Sequence, residues 1–315
     1  MSLKLSIPGK TFLVGEYLAL SGGAALIVCT EPRFKMKVKL KGSEANSSGL
    51  VGIHPQSPAG KFYSENQDVF SSFSLEFTDP YEGRGGFGAS TAQFAMLYAL
   101  KTWKDTILLE PERQLDLREL LEDYKKQAWS GEGLPPSGAD LVAQVRGGLT
   151  YFEKNKSKLK SWSWPFSKLD FAVVPTGFKM PTHEHLRRLS ANHFASLEGP
   201  VYSAVESLKS ADQESFVRAI RAFRAELRKL ELTATSTESL LKDLEKVPEV
   251  LAAKGCGAMG ADVLMVFFEK DHRYKVLECL RGKNLYPVAT SESLSDGIRI
   301  RLDGDFRKKG GIALL

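Results

Sequence analysis

The stretch GGFGASTAQFAMLYALKTW, residues 85 to 103, constrains this chain more than any other. A loop of glycines and small hydroxyl residues runs directly into an apolar segment with the spacing of a helix, predicted over about 91–104. Gly85, Gly86 and Gly88 let the backbone approach a ligand closely and turn its N–H groups inward. The helix behind them adds a favourable potential for negative charge at the same spot. Ser90 and Thr91 stand where that helix begins, so either can cap it. Two readings stay open on these residues: a capped helix after a tight turn, or a cradle for an anion.

Two further glycine-bearing segments compete for the chemistry. In IPGKTFLVGEYLALSGGAAL, residues 7 to 26, the GKT tripeptide hints at a Walker A loop. That motif needs a glycine five residues before Gly9, and Lys4 stands there, so a P-loop is ruled out. Lys10 keeps its interest, because a lysine beside a glycine turn can reach a phosphate as a point charge; the alternative is an ordinary surface lysine. In AAKGCGAMGADVLMVFFEK, Gly255, Gly257 and Gly260 fit G-x-G-x-x-G. The loop precedes a strand-like run where a dinucleotide-binding loop follows a strand and opens a helix, so that reading is rejected. One carboxylate also stands out. Asp140 in PPSGADLVAQV either completes a capping box with Ser137 or is held at a helix start facing the glycine loops.

The remaining sequence bounds the protein class. A length of 315 residues suits two medium domains or one large one. The charge balance, 43 Lys+Arg minus 38 Asp+Glu or +5, suits a small anionic substrate and is too diffuse for nucleic acid. Cys29, Cys256 and Cys279 are odd in number, widely spaced and set in apolar sequence, which predicts buried thiols in a reducing compartment. The N-terminal residues carry charges and a proline inside the would-be apolar region of a signal peptide. No charge-free run approaches the roughly 18 to 20 residues of a membrane helix. The expected location is cytoplasmic.

Along the chain, residues 3 to 40 read as strands around a turn. Phe34, Met36, Val38 and Leu40 alternate with lysines, the period of a strand with one buried face. Residues 42 to 60 read as a hairpin tip or loop, and a helix is expected over about 116–129. LTYFEK reads as a strand, 154 to 168 as the domain crossing, FAVVPTG as a strand, and a helix is expected from Thr182. One long helix is expected near 200–230, with Phe216, Ile220, Phe223, Leu227 and Leu230 as its core stripe. Arg218, Arg221, Arg224 and Arg228 on it read as a solvated face. Strands and helices without strict alternation argue for an α+β fold.

Taken in order, these segments resemble the GHMP kinase superfamily. PGKTFLVGEY is similar to the family's first motif, GFGAST to its G-L-G-S-S-A phosphate loop, PPSGAD to its P-S-G-x-D segment, and GCGAMGAD to its late glycine loop. PTGFKMPTHEHL is also similar to the family's strand-to-helix segment, so the resemblance spans residues 7 to about 268. It implies two domains, a ribosomal-protein-S5-like N-terminal half over 1–160 and a ferredoxin-like C-terminal half over 161–315, with ATP and a small-molecule substrate between them. It implies that Gly85, Gly86, Gly88, Ala89, Ser90 and Thr91 cradle the ATP phosphates, that Ser90 helps to hold Mg²⁺, and that Lys10 and Asp140 are catalytic. Glu16, Tyr17, Ser137, Gly138, Gly257 and Gly260 would contact the substrate. A monomer or homodimer is implied, without nucleic-acid or membrane partners.

Within the superfamily, Gly15-Glu16-Tyr17 and the Asp262 that follows Gly260 and Ala261 are similar to phosphomevalonate kinases rather than mevalonate kinases. A phosphate acceptor would need additional cations, for which Arg146 and Lys101 are candidates. The departures are specific. Ala89 replaces the first serine of the family's pair, Met259 and Ala261 should narrow the substrate side of the late loop, and Trp129 falls where relatives carry a Mg²⁺-binding glutamate, with Glu132 nearby. Competing readings are a mevalonate kinase, a diphosphomevalonate decarboxylase, and a non-catalytic binding protein with the same fold. A metal site at His183 and His185 is disfavoured, since residues i and i+2 point to different sides of a helix.

Overall fold

The computed structural model describes residues 2–41, 49–103, 115–178 and 191–303. His183, His185 and the helix start expected at Thr182 lie outside the described residues. The expected mixed α+β architecture is found, organised around two sheets.

The first sheet is built on a long antiparallel pair, β1 (Ser2–Val14) and β2 (Ala24–Leu40). In β2 the alternation buries Phe34, Met36 and Val38 as expected, but Leu40 lies at the strand end and is 63% exposed. The pairing register shifts between Pro8 and Gly9. That irregularity falls one residue before Lys10. β3 (Leu50–Val51), β4 (Phe73–Thr78), β5 (Leu149–Glu153) and β6 (Lys158–Trp162) complete the sheet, with β11 (Arg299–Asp303) on the outer edge of β1. The sheets therefore do not divide cleanly near residue 160. β11 returns to pair with β1, Leu5 opposite Ile300.

Helices α1 (Pro58–Glu65), α2 (Gln67–Phe70), α3 (Ala89–Trp103), α4 (Leu117–Ala128) and α5 (Ala139–Arg146) accompany this sheet. In α3 Ala92, Phe94, Ala95, Met96, Leu97 and Ala99 are all fully buried, so it is apolar on most of its circumference and runs through the core. α4 is the amphipathic counterpart. Asp116 caps it through the N–H groups of Arg118 and Glu119, and Leu120 and Tyr124 face inward.

The second sheet has the order β10-β7-β9-β8, from β7 (Leu169–Pro175), β8 (Val250–Cys256), β9 (Val263–Glu269) and β10 (Ala289–Thr290). It is accompanied by α6 (Glu198–Lys209), α7 (Gln213–Lys229), α8 (Thr235–Glu245) and α9 (Arg273–Gly282). The single helix expected near 200–230 is thus two helices. Ala211 takes a left-handed φ of 53°, and Asp212 caps the second helix by accepting from Ser215 N at 3.0 Å. The cap lies in plain sequence, SADQES, but the continuous apolar stripe masked it. That stripe does form the core face of α7, with Phe216, Ile220, Phe223 and Leu227 buried. Among the described residues no helix is long and apolar enough to cross a membrane.

Candidate active site

Three chain segments far apart in sequence converge between the two sheets. β1 contributes Lys10, whose backbone N–H donates to Phe87 O at 3.0 Å and so ties the strand to the glycine loop. Lys10 Nζ stands 4.0 Å from Asp140 Oδ2 at the start of α5, with the two side chains 10% and 27% exposed. The ammonium also lies 5.0 Å from the centroid of the Phe12 ring, a cation–π contact that fixes its direction. The two expected catalytic residues are brought together.

The glycine loop packs against Lys10 and against Gln144 of α5. A Cβ added to Gly88 would come within 2.9 Å of Lys10 Cγ and 3.0 Å of Gln144 Nε2. α3 follows the loop with no acidic residue in its first turn, so its N-terminal potential is not cancelled locally. Ser90 is exposed there. The buried Tyr124 hydroxyl bonds the Ser90 side chain, and burial together with the nearby Asp140 charge pushes that phenol above its ordinary pKa. Ser90 and Asp140 therefore share a neighbour and face one region.

Thr91 departs from the expected role. It is 2% exposed, and its hydroxyl donates inward to Gln144 Oε1 at 2.6 Å, so the side chain does not cap α3 and leaves only the backbone for a ligand. Of the two readings of Asp140, the capping box is not formed. Gly138, left-handed with φ 72°, is the cap residue of α5, while Ser137 Oγ accepts from Ala139 N and Asp140 Oδ1 from Leu141 N. The Asp140 carboxylate is thereby held at the helix start beside Lys10.

The late glycine loop closes the site from the second sheet. Asp262 lies against both loops. A Cβ on Gly85 would sit 2.7 Å from its Oδ1, and one on Gly257 2.4 Å from its Oδ2. Only glycine permits that approach from either side. Met259 holds a left-handed φ of 53° in this loop, and its N–H donates to the Tyr17 hydroxyl at 3.0 Å. Ala261 is 1% exposed, so its methyl group does not narrow an open cleft as expected.

Glu16 and Tyr17, expected at the substrate, are turned into the interior. Glu16 Oε1 accepts from Lys254 Nζ at 2.9 Å, and that lysine side chain is 0% exposed. Cys256 Sγ stands 3.3 Å from the same ammonium, and burial pushes the thiol up to about 11, so it stays protonated at neutral pH. Tyr17 is buried against Phe194 at 5.7 Å between ring centroids. Gly15 follows β1 in a left-handed conformation, and Glu16 and Tyr17 stand between it and the short helical turn Leu18–Ser21.

The candidate extra cations sit at the wrong ends of their helices. Lys101 is twelve residues beyond Ala89 in α3, about 18 Å along the axis at 1.5 Å per residue. It lies over the Phe62 ring. Arg146 ends α5 in the same way and is exposed. Trp129 follows α4 and donates its indole N–H to the backbone carbonyl of Glu132, so the residue at the glutamate's position supplies no carboxylate. Among the described residues there is no cluster of three or more metal-ligating side chains.

Gln144 is the residue that sequence reasoning missed. It is fully buried and joins all three motifs, since Nε2 donates to Pro8 O at 2.8 Å while Oε1 accepts from Thr91. Its position four residues after Asp140 puts it on the same helix face, and that spacing was a usable signal. Lys254 carried no such signal, because its partner Glu16 lies 238 positions away.

No sequence-family profile matches the chain, and no curated protein matches it. Solved structures do. Streptococcus pneumoniae phosphomevalonate kinase in complex with phosphomevalonate and AMPPNP is similar over 91% of this chain and 98% of its own, with a TM-score of 0.69 and 17% identity. L. major mevalonate kinase in complex with R-mevalonate aligns over 91% of this chain and 96% of its own, at TM-score 0.67 and 18% identity. Lactococcus lactis galactokinase complexed with galactose covers 95% of both chains at TM-score 0.71 and 12% identity. This chain has the GHMP kinase fold that its motifs resemble.

Proposed function

We propose that this protein is an ATP-dependent kinase of a small metabolite, transferring the γ-phosphoryl group to phosphomevalonate. The observation that carries the reading is the Lys10–Asp140 pair, 4.0 Å apart and set against a glycine loop that opens α3. Phosphoryl transfer asks chiefly for positioning and charge neutralisation. The loop amides and the α3 N-terminus suit the triphosphate, and the Lys10 ammonium suits the charge spread over the transferring group. Ala89 supplies no hydroxyl, which leaves Ser90 as the outward-facing one at the helix start.

The side chains present fit a divalent ion carried in with a nucleotide, because Mg²⁺ typically takes one or two protein ligands and completes its shell with phosphates and water. Ser90 and Asp140, which flank the Tyr124 hydroxyl, would hold it, and it would neutralise phosphate charge.

Asp140's task depends on the acceptor. An alcohol must lose a proton far from neutrality and benefits from a general base. A phosphate monoester, with a second pKa of ~6, is already mostly dianionic at pH 7. The Gly-Glu-Tyr and Ala-Asp features favour the phosphorylated acceptor over mevalonate, although Glu16 acts from the interior. Asp262 stands between the two glycine loops, where it can order both. A decarboxylase should aim an arginine at a carboxylate, and none stands among the described site residues. We place the enzyme in the cytoplasm, in keeping with its three free thiols.

The test is ADP formation with Mg²⁺ against mevalonate, phosphomevalonate, diphosphomevalonate, homoserine and galactose, with CO₂ followed in parallel. Turnover with phosphomevalonate and without CO₂ is expected. CO₂ release would establish the lyase, and turnover with another acceptor would replace the substrate assigned here.

A further inference from the structure

The arginines of α7, expected to be a solvated face, do not behave alike. Arg218 pairs with Glu214 on the surface at 3.7 Å. Arg221, Arg224 and Arg228, spaced by three and four residues, share a different face and line a concave pocket of ≈ 730 Å³ with Lys229. The opposite wall is β8, the edge strand of its sheet, whose outer carbonyl groups have no strand partner among the described residues. Two arginines satisfy them. Arg221 Nε donates to Leu251 O at 2.7 Å and Arg224 Nη1 to Ala253 O at 3.5 Å.

The pocket is more than an edge cap. Arg224 is 11% exposed and held by Glu245 and by Glu238, the latter at 3.4 Å, so its charge is neutralised in place. Arg221 uses one N–H on the strand and keeps the planar fork of its terminal nitrogens. The Arg228 side chain has no ion-pair or hydrogen-bond partner among the described residues. Glu245 is the only acid in the lining. Ala225, Val250 and Ala252 form an apolar floor between the cations. Two unneutralised guanidinium groups over an apolar floor suit the bidentate geometry of phosphate oxygens better than a lone carboxylate.

We propose that this pocket between α7 and β8 is a binding site for a small phosphate-bearing molecule, separate from the Lys10–Asp140 site. Arg221 and Arg228 take the phosphate oxygens, Lys229 adds charge at the rim, and Val250 and Ala252 receive the apolar body. The recess and the fixed pairing of Arg224 with Glu245 and Glu238 favour a small ligand over a flat polyanion. β8 also links this pocket to the late glycine loop, since its next residues are Lys254, paired with Glu16, and Cys256. An occupied pocket is therefore positioned to alter that loop.

The assignment does not depend on the kinase reading. It is tested by titrating the intact protein with inorganic pyrophosphate and following the arginine Nε–Hε resonances, assigned with Arg221→Gln and Arg228→Gln. Arg228 has no partner to lose, so that variant keeps the fold. The expected result is saturable shifts of the Arg221 and Arg228 signals at submillimolar pyrophosphate. Affinity should fall at least ten-fold in Arg228→Gln and be unchanged in Lys10→Met. Shifts that grow linearly without saturation, or an affinity equal in wild type and both arginine variants, would overturn the site. Saturable binding of an oligonucleotide or of anionic vesicles at these arginines, with none of pyrophosphate, would overturn the small-molecule assignment.

Discussion

Replacing Gly88 with alanine separates position from strain at the centre of the site. Gly88 holds φ at 84°, and an added Cβ would fall 2.9 Å from Lys10 Cγ and 3.0 Å from Lys10 Cε. Carbon atoms prefer about 3.5–4.0 Å, so the lysine stem must retreat by roughly 0.5–1 Å. A misplacement of about 1 Å at a reacting group lowers the rate by about 10²-fold, or ~2.7 kcal/mol at ~1.36 kcal/mol per decade. The left-handed backbone adds roughly 1 kcal/mol of destabilisation for a residue with a Cβ. Gly83→Ala is the control, because Gly83 has φ 79° but nothing within 4 Å of its added Cβ. ADP release at saturating substrates should fall about 10²-fold in Gly88→Ala and stay near wild type in Gly83→Ala, with both proteins melting only slightly earlier. Wild-type kcat in a folded Gly88→Ala protein would refute the argument that the loop positions Lys10. Equal losses in both variants would make strain, not position, the cause.

Three further outcomes are expected. Asp140→Asn should lower kcat less with a phosphate acceptor than with an alcohol; a loss of about 10⁴-fold, near 5 kcal/mol, with phosphomevalonate would contradict that role. Thr91→Val leaves the fully buried Gln144 Oε1 without its donor, which should destabilise the fold by about 1–3 kcal/mol in denaturant titration; an unchanged midpoint would deny the clamp. The third concerns Glu153, a buried carboxyl that burial pushes up but that hydrogen bonds from Lys156, Tyr151 and Tyr202 hold below its ordinary range. A depressed folded pKa gives stability above the unfolded value of about 4.3 and loses it as pH falls through the folded one. Glu153→Gln should therefore flatten the fall in melting temperature below about pH 5. A slope as steep as wild type would place the acid lability elsewhere.

Local pattern carried much of the architecture. The alternation around Phe34 and Met36, the α3 boundaries to within two residues, and the strand after the late loop all follow from period and composition. The convergence of Lys10 with Asp140 followed from motif order, since no local rule brings residues 130 positions apart together. What stayed hidden was the direction of side chains at the motif edges. Glu16 and Tyr17 are adjacent to a glycine turn like any ligand-contacting residue, yet Lys254 and Met259 claim them from the other sheet. Thr91 resembles a cap until Gln144 draws it inward. The return of β11 to β1 depends on a pairing across nearly the whole chain; the alternation of Ile298, Ile300 and Leu302 with charged residues marks a strand but not its partner. The arginines of α7 show the same limit, because only the fold reveals that three of them face a strand edge.

The most direct test of the central claim is single-turnover transfer from γ-labelled ATP to phosphomevalonate, with the products resolved by ³¹P NMR. The account predicts one equivalent of label in a new diphosphate on the acceptor, and no transfer in a folded Lys10→Met variant. Label released only as inorganic phosphate, or transfer that persists in Lys10→Met, would contradict it.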